Sequence, residues 1–397
     1  MRPVLACMLL LFTQAAYAQY RFDNVAFKTV YWDELCKTLK QNPDYLLLDV
    51  RSKGEYEDTS SSKSLNIGRL KGAKNIDIRE LSSRLKEIEA YKNKPVFVYC
   101  SHSQRSRRVG KMLADSGFQN IVNINGGVSN LRMFGLVEEC NLLTSNLPYQ
   151  ILSPKALTHK MALDFFILDI RTDSAFKGTA TMERRNSLGK FTKAVNIPLA
   201  TLDQNLSSLP RDKKILIVDE LGNESAAAAE LLHKNGFSNL SILFNGLDAY
   251  ITEVPLKERN GWVSFVPYQT ISGLDFDQLA KKGSFTAIDI RSGDEFNNAS
   301  KESFRNIGSI KEAVNMPFTD LDKQFASLPT DKEAPVVVYA MSSTNEVFET
   351  ASKLSNQGYK NTYVLLGGLF NLRWRAANLK DHGHLKKWVV NVPPDNH

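Results

Sequence analysis

The sequence predicts three tandem α/β/α domains, each built on a central, mainly parallel sheet. Two observations carry this. One strand end occurs three times, as Leu46-Leu47-Leu48-Asp49-Val50-Arg51, Phe166-Ile167-Leu168-Asp169-Ile170-Arg171 and Thr286-Ala287-Ile288-Asp289-Ile290-Arg291, with the aspartates 120 residues apart both times. Within each unit, short runs of branched and aromatic residues alternate with helical periodicity, the pattern of parallel strands joined by crossover helices.

The start of the chain reads as a targeting segment. Arg2 precedes an apolar run from Val4 to Phe12, and Ala16-Tyr17-Ala18 has the small-x-small form of a cleavage site. Residues 1–18 are therefore expected to be a signal peptide, with Gln19 the first mature residue. The run falls short of the roughly 20 apolar residues that span a bilayer as a helix, and no later stretch approaches that length. Lipid attachment at Cys7 is disfavoured, because the apolar run follows that cysteine instead of preceding it. The expectation is a secreted or periplasmic protein with no membrane span.

Domains are expected over residues 24–146, 148–265 and 267–392, with linkers near Asn146-Leu147-Pro148 and Phe265-Val266-Pro267. A period this long exceeds the roughly 20–50 residues of solenoid repeats, so each unit can hold its own core. In the first unit a helix is expected over Trp32–Leu39, a buried strand over Tyr45–Val50, a helix over Leu81–Ile88 and a second buried strand over Pro95–Tyr99. A further helix, Ser106–Ser116, places Val109, Met112 and Leu113 on one face, and Gly117 supplies the left-handed residue that ends it. Ala73-Lys74-Asn75-Ile76 recurs as Ala194-Val195-Asn196-Ile197 and Ala313-Val314-Asn315-Met316, and Gly126-Gly127 as Asn245-Gly246 and Gly367-Gly368.

Hydrophobic residues make up 43% of the chain and charged ones 23%, ordinary for a globular protein. The net charge of +7 is scattered along the chain. A nucleic-acid binder would concentrate it in a stripe with a reading motif, and neither is present, so no nucleic-acid partner is expected. Removing residues 1–18 leaves 49 basic against 43 acidic residues, a balance of +6, and three cysteines: Cys36, Cys100 and Cys140. An odd count in an exported protein implies a free reactive thiol or an intermolecular bond. Cys36 and Cys140 are either a bridge that staples the domain ends or two ordinary cysteines, and bridged Cα atoms lie roughly 4.4–6.8 Å apart. His382 and His384 have no further ligands clustered beside them, so no metal and no cofactor is expected.

Chemistry concentrates in Pro95-Val96-Phe97-Val98-Tyr99-Cys100-Ser101-His102-Ser103-Gln104-Arg105-Ser106. A strand ends, a polar turn follows, and a helix begins. Ligands bind at the C-terminal ends of parallel strands, and a turn entering a helix offers unpaired N–H groups to an anion. Arg105 adds a full positive charge. Cys100 is thus placed as a nucleophile rather than a buried inert thiol.

The ordered set Asp49-Val50-Arg51, Ala73-Lys74-Asn75-Ile76, Cys100 through Ser106 and Gly126-Gly127 resembles the rhodanese (thiosulfate sulfurtransferase-like) domain family, and it does so three times over nearly the whole mature chain. Ser103 stands where the family loop has Gly, which imposes a cost on any left-handed backbone there, and Arg69 stands where the family often has His. The resemblance implies a Cys100 persulfide formed from thiosulfate or a similar small anionic sulfur donor and discharged to a thiol or cyanide. It implies that Arg105 orients the donor, with Ser101, His102, Ser103, Gln104 and Ser106 as donor contacts. The four residues between Cys100 and Arg105 resemble the sulfur-transferring class rather than the longer Cys-x5-Arg loop of phosphatases.

Asp49 and Arg51 recur in every unit, with or without cysteine, which fits a structural ion pair. Glu55 is read as a partner for Arg51. In the second unit Asp219 occupies the cysteine position and Glu224 the arginine position; in the third these are Ala340 and Asn345. Both units are expected to be inactive, serving as scaffold, cover or protein-partner surface. Asp219, Glu220 and Glu224 are read as a solvated acidic face. Two other readings compete: a scaffold with Cys100 incidental, and a thiol-redox sensor.

Overall fold

The computed structural model describes residues 27–134, 140–157, 164–259, 261–325, 328 and 330–393. The expected signal peptide lies outside them. In the first unit the elements are β1 (Lys28–Val30), α1 (Leu35–Gln41), β2 (Leu46–Asp49), α2 (Lys53–Glu57), β3 (Arg69–Leu70), β4 (Lys74–Asn75), α3 (Leu81–Arg84), β5 (Val96–Tyr99), α4 (Gln104–Asp115), β6 (Ile121–Ile124) and α5 (Gly127–Phe134). The expected helix over Leu81–Ile88 is only partly formed: α3 stops at Arg84 and a 3-10 stretch, Leu85–Tyr91, replaces its second half.

Five strands form a parallel sheet in the order β1-β6-β5-β2-β4. The same order recurs in the second unit, from Gln150–Leu152 at one edge to Val195–Asn196 at the other, and in the third, from Gln269–Ile271 to Val314–Asn315. Every residue of β2 and β5 is buried. Strand alternation divides them between two apolar clusters: Leu47, Phe97 and Tyr99 pack on one face, and Leu46, Leu48, Val96 and Val98 on the other. Burying each such side chain contributes about 1.5–3 kcal/mol, which is why these runs read as apolar throughout instead of alternating.

The three units pack together. Phe244 of the second enters the first unit's core cluster, and the second and third share one cluster that includes Leu216, Leu243, Ile288 and Val338. Asn125 Nδ2 donates to Asn378 Oδ1 at 3.2 Å, linking the first unit to the third, and buried Arg375 pairs with Glu253. Cys36 and Cys140 are bridged, with Cα atoms 5.9 Å apart, which decides the open question and leaves Cys100 as the free cysteine among the described residues.

Candidate active site

The turn from Cys100 to Ser103 joins β5 to α4. It lies where the strand order reverses: the chain leaves β2 for the β4 edge and returns on β2's other side as β5. The C-terminal ends of β2 and β5 therefore flank a crevice. On the β2 side, Arg51 Nε and Nη2 donate to the Asp49 carboxylate at 2.7–3.1 Å, and Nη2 also donates to the Gly68 carbonyl at 2.8 Å. Arg171 and Arg291 repeat this clip with Asp169 and Gly189, and with Asp289 and Gly308. All three pairs are buried, and they tie a strand end to a distant loop.

The turn is oriented from behind. The Val128 N–H donates to the Cys100 carbonyl and the Ser129 N–H to the Ser101 carbonyl, each at 3.0 Å. This close approach requires Gly127, because a Cβ there would lie 2.0 Å from the Cys100 oxygen. With those carbonyls held back against α5, the N–H groups of Ser103, Arg105 and Ser106 have no acceptor among the described residues. Ser103 does take the left-handed conformation, at φ +77° and ψ −18°. Its hydroxyl donates to the Ile124 carbonyl at 3.2 Å and accepts from the Gly126 N–H at 2.5 Å, offsetting the cost.

Cys100 is not exposed as the sequence suggested. It is 1% accessible and belongs to the apolar cluster of Val50, Ile76, Val98 and Val109. The reason is packing: its side chain falls on the same face of the sheet as Leu48 and Val98 and is covered by Val109 and Leu113 of α4. Its Sγ lies 3.8 Å from Ser106 Oγ, and that hydroxyl lies 2.6 Å from Asn123 Oδ1.

Arg105 carries its charge as expected, but it is not free. Its Nη1 and Nη2 donate to Glu55 at 2.6 and 2.7 Å, and Nη2 also donates to Ser101 Oγ at 2.9 Å. These bonds to Glu55 raise the Arg105 pKa against the effect of burial, and Cys100 adds to the rise. Burial pushes the Glu55 carboxyl up, but Arg105 and the Ser52 cap outweigh it and hold it below the ordinary range. Glu55 is thus the partner of Arg105, not of Arg51, whose guanidinium is taken by Asp49 and Gly68. His102 bridges two serines, with Nδ1 3.0 Å from Ser101 Oγ and Nε2 3.1 Å from Ser129 Oγ. Desolvation, and then the Arg105 charge, lower its pKa. Gln104 is exposed at the start of α4. Asn123 and Ser129 are site neighbours that sequence reasoning did not find, and Glu55 is one that it assigned to the wrong arginine.

In the second unit Asp219 is 2% exposed, so it is not part of a solvated face. Its carboxylate accepts the N–H groups of Gly222, Glu224 and Ser225 at 2.7, 2.7 and 3.2 Å. These residues match Ser103, Arg105 and Ser106. In the third unit Ala340 offers no polar atom, Ser343 does not take the left-handed conformation, and Thr344 is extended at φ −80° and ψ 162°. Asn345 there accepts the Arg184 N–H of the second unit at 3.1 Å. Among the described residues no group of three His, Cys, Asp or Glu side chains is placed to hold a metal, and no helix is long and apolar enough to cross a membrane.

A family model described as Rhodanese-like domain matches residues 33–133, 153–253 and 274–373. The uncharacterized protein YqhL of Bacillus subtilis is 32% identical over 126 residues, covering 30% of this chain and 88% of that protein. Thiosulfate sulfurtransferase GlpE of Coxiella burnetii is 30% identical over 89 residues, 22% of this chain and 73% of that protein. The tRNA uridine(34) hydroxylase of Cytophaga hutchinsonii is 30% identical over 95 residues, 23% of this chain, but the match spans only 28% of that protein. Among solved structures, a rhodanese-related protein from Thermoplasma volcanium is 28% identical, covering 29% of this chain and 94% of that one, with a TM-score of 0.22.

Proposed function

The chain belongs to the rhodanese-like domain family, in three tandem copies, and on that premise we propose that it is an exported sulfurtransferase or persulfide carrier whose chemistry is confined to Cys100. The Cys100 thiolate attacks the outer sulfur of thiosulfate or a similar donor. The donor S–S bond breaks, sulfite leaves with its electron pair, and Cys100 becomes a persulfide. A thiolate or cyanide then attacks the terminal sulfur and releases Cys100. These are two half-reactions of covalent catalysis with ping-pong kinetics, and they need no cofactor.

The observation that carries this reading is the Asp219 carboxylate. An anion sits at the cysteine position of the second repeat and accepts three turn N–H groups. The matching N–H groups of the first repeat would hold the anionic persulfide, and Arg105 would orient the donor. The second and third domains are assigned a scaffolding role, supported by the clusters they share. Export is supported by the Cys36–Cys140 bridge, since disulfides persist in oxidising compartments.

The test is mass spectrometry of the intact protein after exposure to thiosulfate. A gain of one sulfur, lost in Cys100→Ala, is expected. No gain with any sulfane donor would remove the transferase reading, and reversible sulfenate or mixed disulfide without sulfur transfer would favour a redox sensor.

A further inference from the structure

Strand β6 carries one polar side chain into the apolar layer that holds Cys100. Asn123 is fully buried, and strand alternation puts it on the face of Ile121, which packs in the cluster of Cys100, Val98 and Val109. It pairs in register with Val98, two residues before the cysteine. Burying an amide among aliphatic side chains is unfavourable unless its hydrogen bonds are made. The Asn123 side chain makes one. Its Oδ1 accepts the Ser106 hydroxyl at 2.6 Å, whereas Nδ2 has no partner among the described residues. A tie between β6 and α4 explains the bonded oxygen but not the idle donor.

The other repeats act as internal controls. The strands Leu240–Leu243 and Thr362–Leu365 keep the register, with Ile242 opposite Ile217 and Val364 opposite Val338. Asn123 thus becomes Ile242 and Val364, and Ser106 becomes Ser225 and Glu346. Ser225 keeps the hydroxyl, but without the amide that hydroxyl has no hydrogen-bond partner among the described residues. The complete serine–asparagine pair occurs in the repeat that has the thiol and not in the two that lack it.

We propose that Asn123 is a positioning residue for sulfur transfer, which acts through Ser106 by setting the direction of its hydroxyl proton and thereby favouring the Cys100 thiolate. The inference rests on the sulfur-transfer reading and adds a residue to its site. As a thiol, Cys100 donates to Ser106 Oγ across 3.8 Å, and the Ser106 proton goes to Asn123 Oδ1. The thiolate needs both bonds reversed. Ser106 must donate to the sulfur, and its oxygen must then meet a donor, since two acceptor oxygens 2.6 Å apart with no proton between them repel. A half-turn of the amide about Cβ–Cγ brings Nδ2 to Ser106 and supplies that donor. Only the thiol proton is released; Ser106 and Asn123 keep theirs. An aliphatic side chain at this position removes the relay.

The test is the pH dependence of Cys100 alkylation by iodoacetamide, read by mass spectrometry on the Cys100 peptide, since the thiolate is the reacting form. It compares the wild type with Asn123→Ile, Ser106→Ala and the double variant. The charged groups around the turn are the same in all four: Arg105 and Arg107 of α4, Glu55 of α2, His102, the Asp49–Arg51 pair after β2 and the Asp77–Arg79 pair after β4. The midpoint is expected to rise by about one pH unit in each single variant, the scale of one lost hydrogen bond to a charged group, and no further in the double variant than in Ser106→Ala. In Asn123→Ile, kcat/KM for thiosulfate is expected to fall about tenfold below the midpoint and to recover above it. Asn123→Ile copies the second repeat, where the same fold holds isoleucine at this position. A midpoint unmoved in Asn123→Ile overturns the inference, and so does a double variant that shifts by the sum of the single shifts, the mark of an effect on packing. Failure of thiosulfate to load Cys100 in the wild type is a different result, which removes the sulfur-transfer reading and leaves the alkylation comparison standing.

Discussion

The first two repeats build the same turn and fill it differently. Ser103 and Gly222 both sit at φ +77°, and in each repeat the following helix ties back the turn's carbonyls, through Val128 to Cys100 and through Leu247 to Asp219. What changes is the occupant. The second repeat inserts a carboxylate that uses the inward N–H groups; the first places a thiol there and leaves them without an acceptor among the described residues. The cradle is thus a property of the fold, set by the left-handed residue and the helix behind it. In the function proposed, reactivity is added by the side chains of Cys100 and Arg105, the latter held by Glu55. The third repeat marks the limit, because its turn has lost both the occupant and the left-handed residue.

The largest expected effect comes from exchanging the occupants. Cys100→Ala should reduce thiocyanate formation from thiosulfate and cyanide to background. Asp219→Cys in that background should not restore it, since the second repeat has Ala175 and Glu224 where the first has Glu55 and Arg105. Sulfur loading of the thiol introduced into the second repeat would break the comparison, by showing that the cradle alone suffices. Next comes Arg105→Ala, expected to lower kcat/KM for thiosulfate by about 10²-fold, the scale of one lost charge-stabilising donor. A loss no larger than that of an exposed arginine would show that Glu55 keeps Arg105 out of the reaction.

The contrast between repeats is largely readable in the sequence, because its determinants are local. Asp49-x-Arg51 closes on itself two residues apart, Cys100 directly follows an apolar strand, and Asp219 and Ala340 stand in register with it. Glu55 is misplaced by sequence reasoning for a physical reason. Its spacing of four from Arg51 suggests a helical pair, but Arg51 precedes α2 and its donors go to Asp49 and the Gly68 carbonyl. The true partner is 50 residues away, across the crevice between β2 and β5, and only the sheet order brings the two together. The burial of Cys100 is hidden in the same way, since it depends on packing against residues such as Val50, Ile76 and Val109 that lie apart in the chain.

Glu55→Gln sharpens this point with a smaller effect. Burial alone would raise the Glu55 carboxyl, but Arg105 and Ser52 hold it below the usual range. Its stabilising contribution is therefore complete above the unfolded carboxylate value of about 4.3 and is lost as pH falls through the lower folded value. The variant should be less stable than the wild type by about 1–3 kcal/mol at pH 7, with the gap closing below about pH 4, as measured by denaturant unfolding across pH. A gap independent of pH would mean that Glu55 acts through packing and not through its charge.

The smallest effect tests the backbone the two turns share. Ser103→Ala removes the bonds to the Ile124 carbonyl and the Gly126 N–H while keeping a Cβ at φ +77°. Ser103→Gly removes the same bonds but relieves the left-handed strain, worth about 1 kcal/mol. The glycine variant should therefore be the more stable of the two by about that amount in thermal or denaturant unfolding, and should retain more sulfur-transfer activity. The reverse order would mean that the first turn relaxes away from the left-handed conformation once the serine bonds are gone. The match with Gly222 would then belong to the hydroxyl of Ser103 and not to the fold.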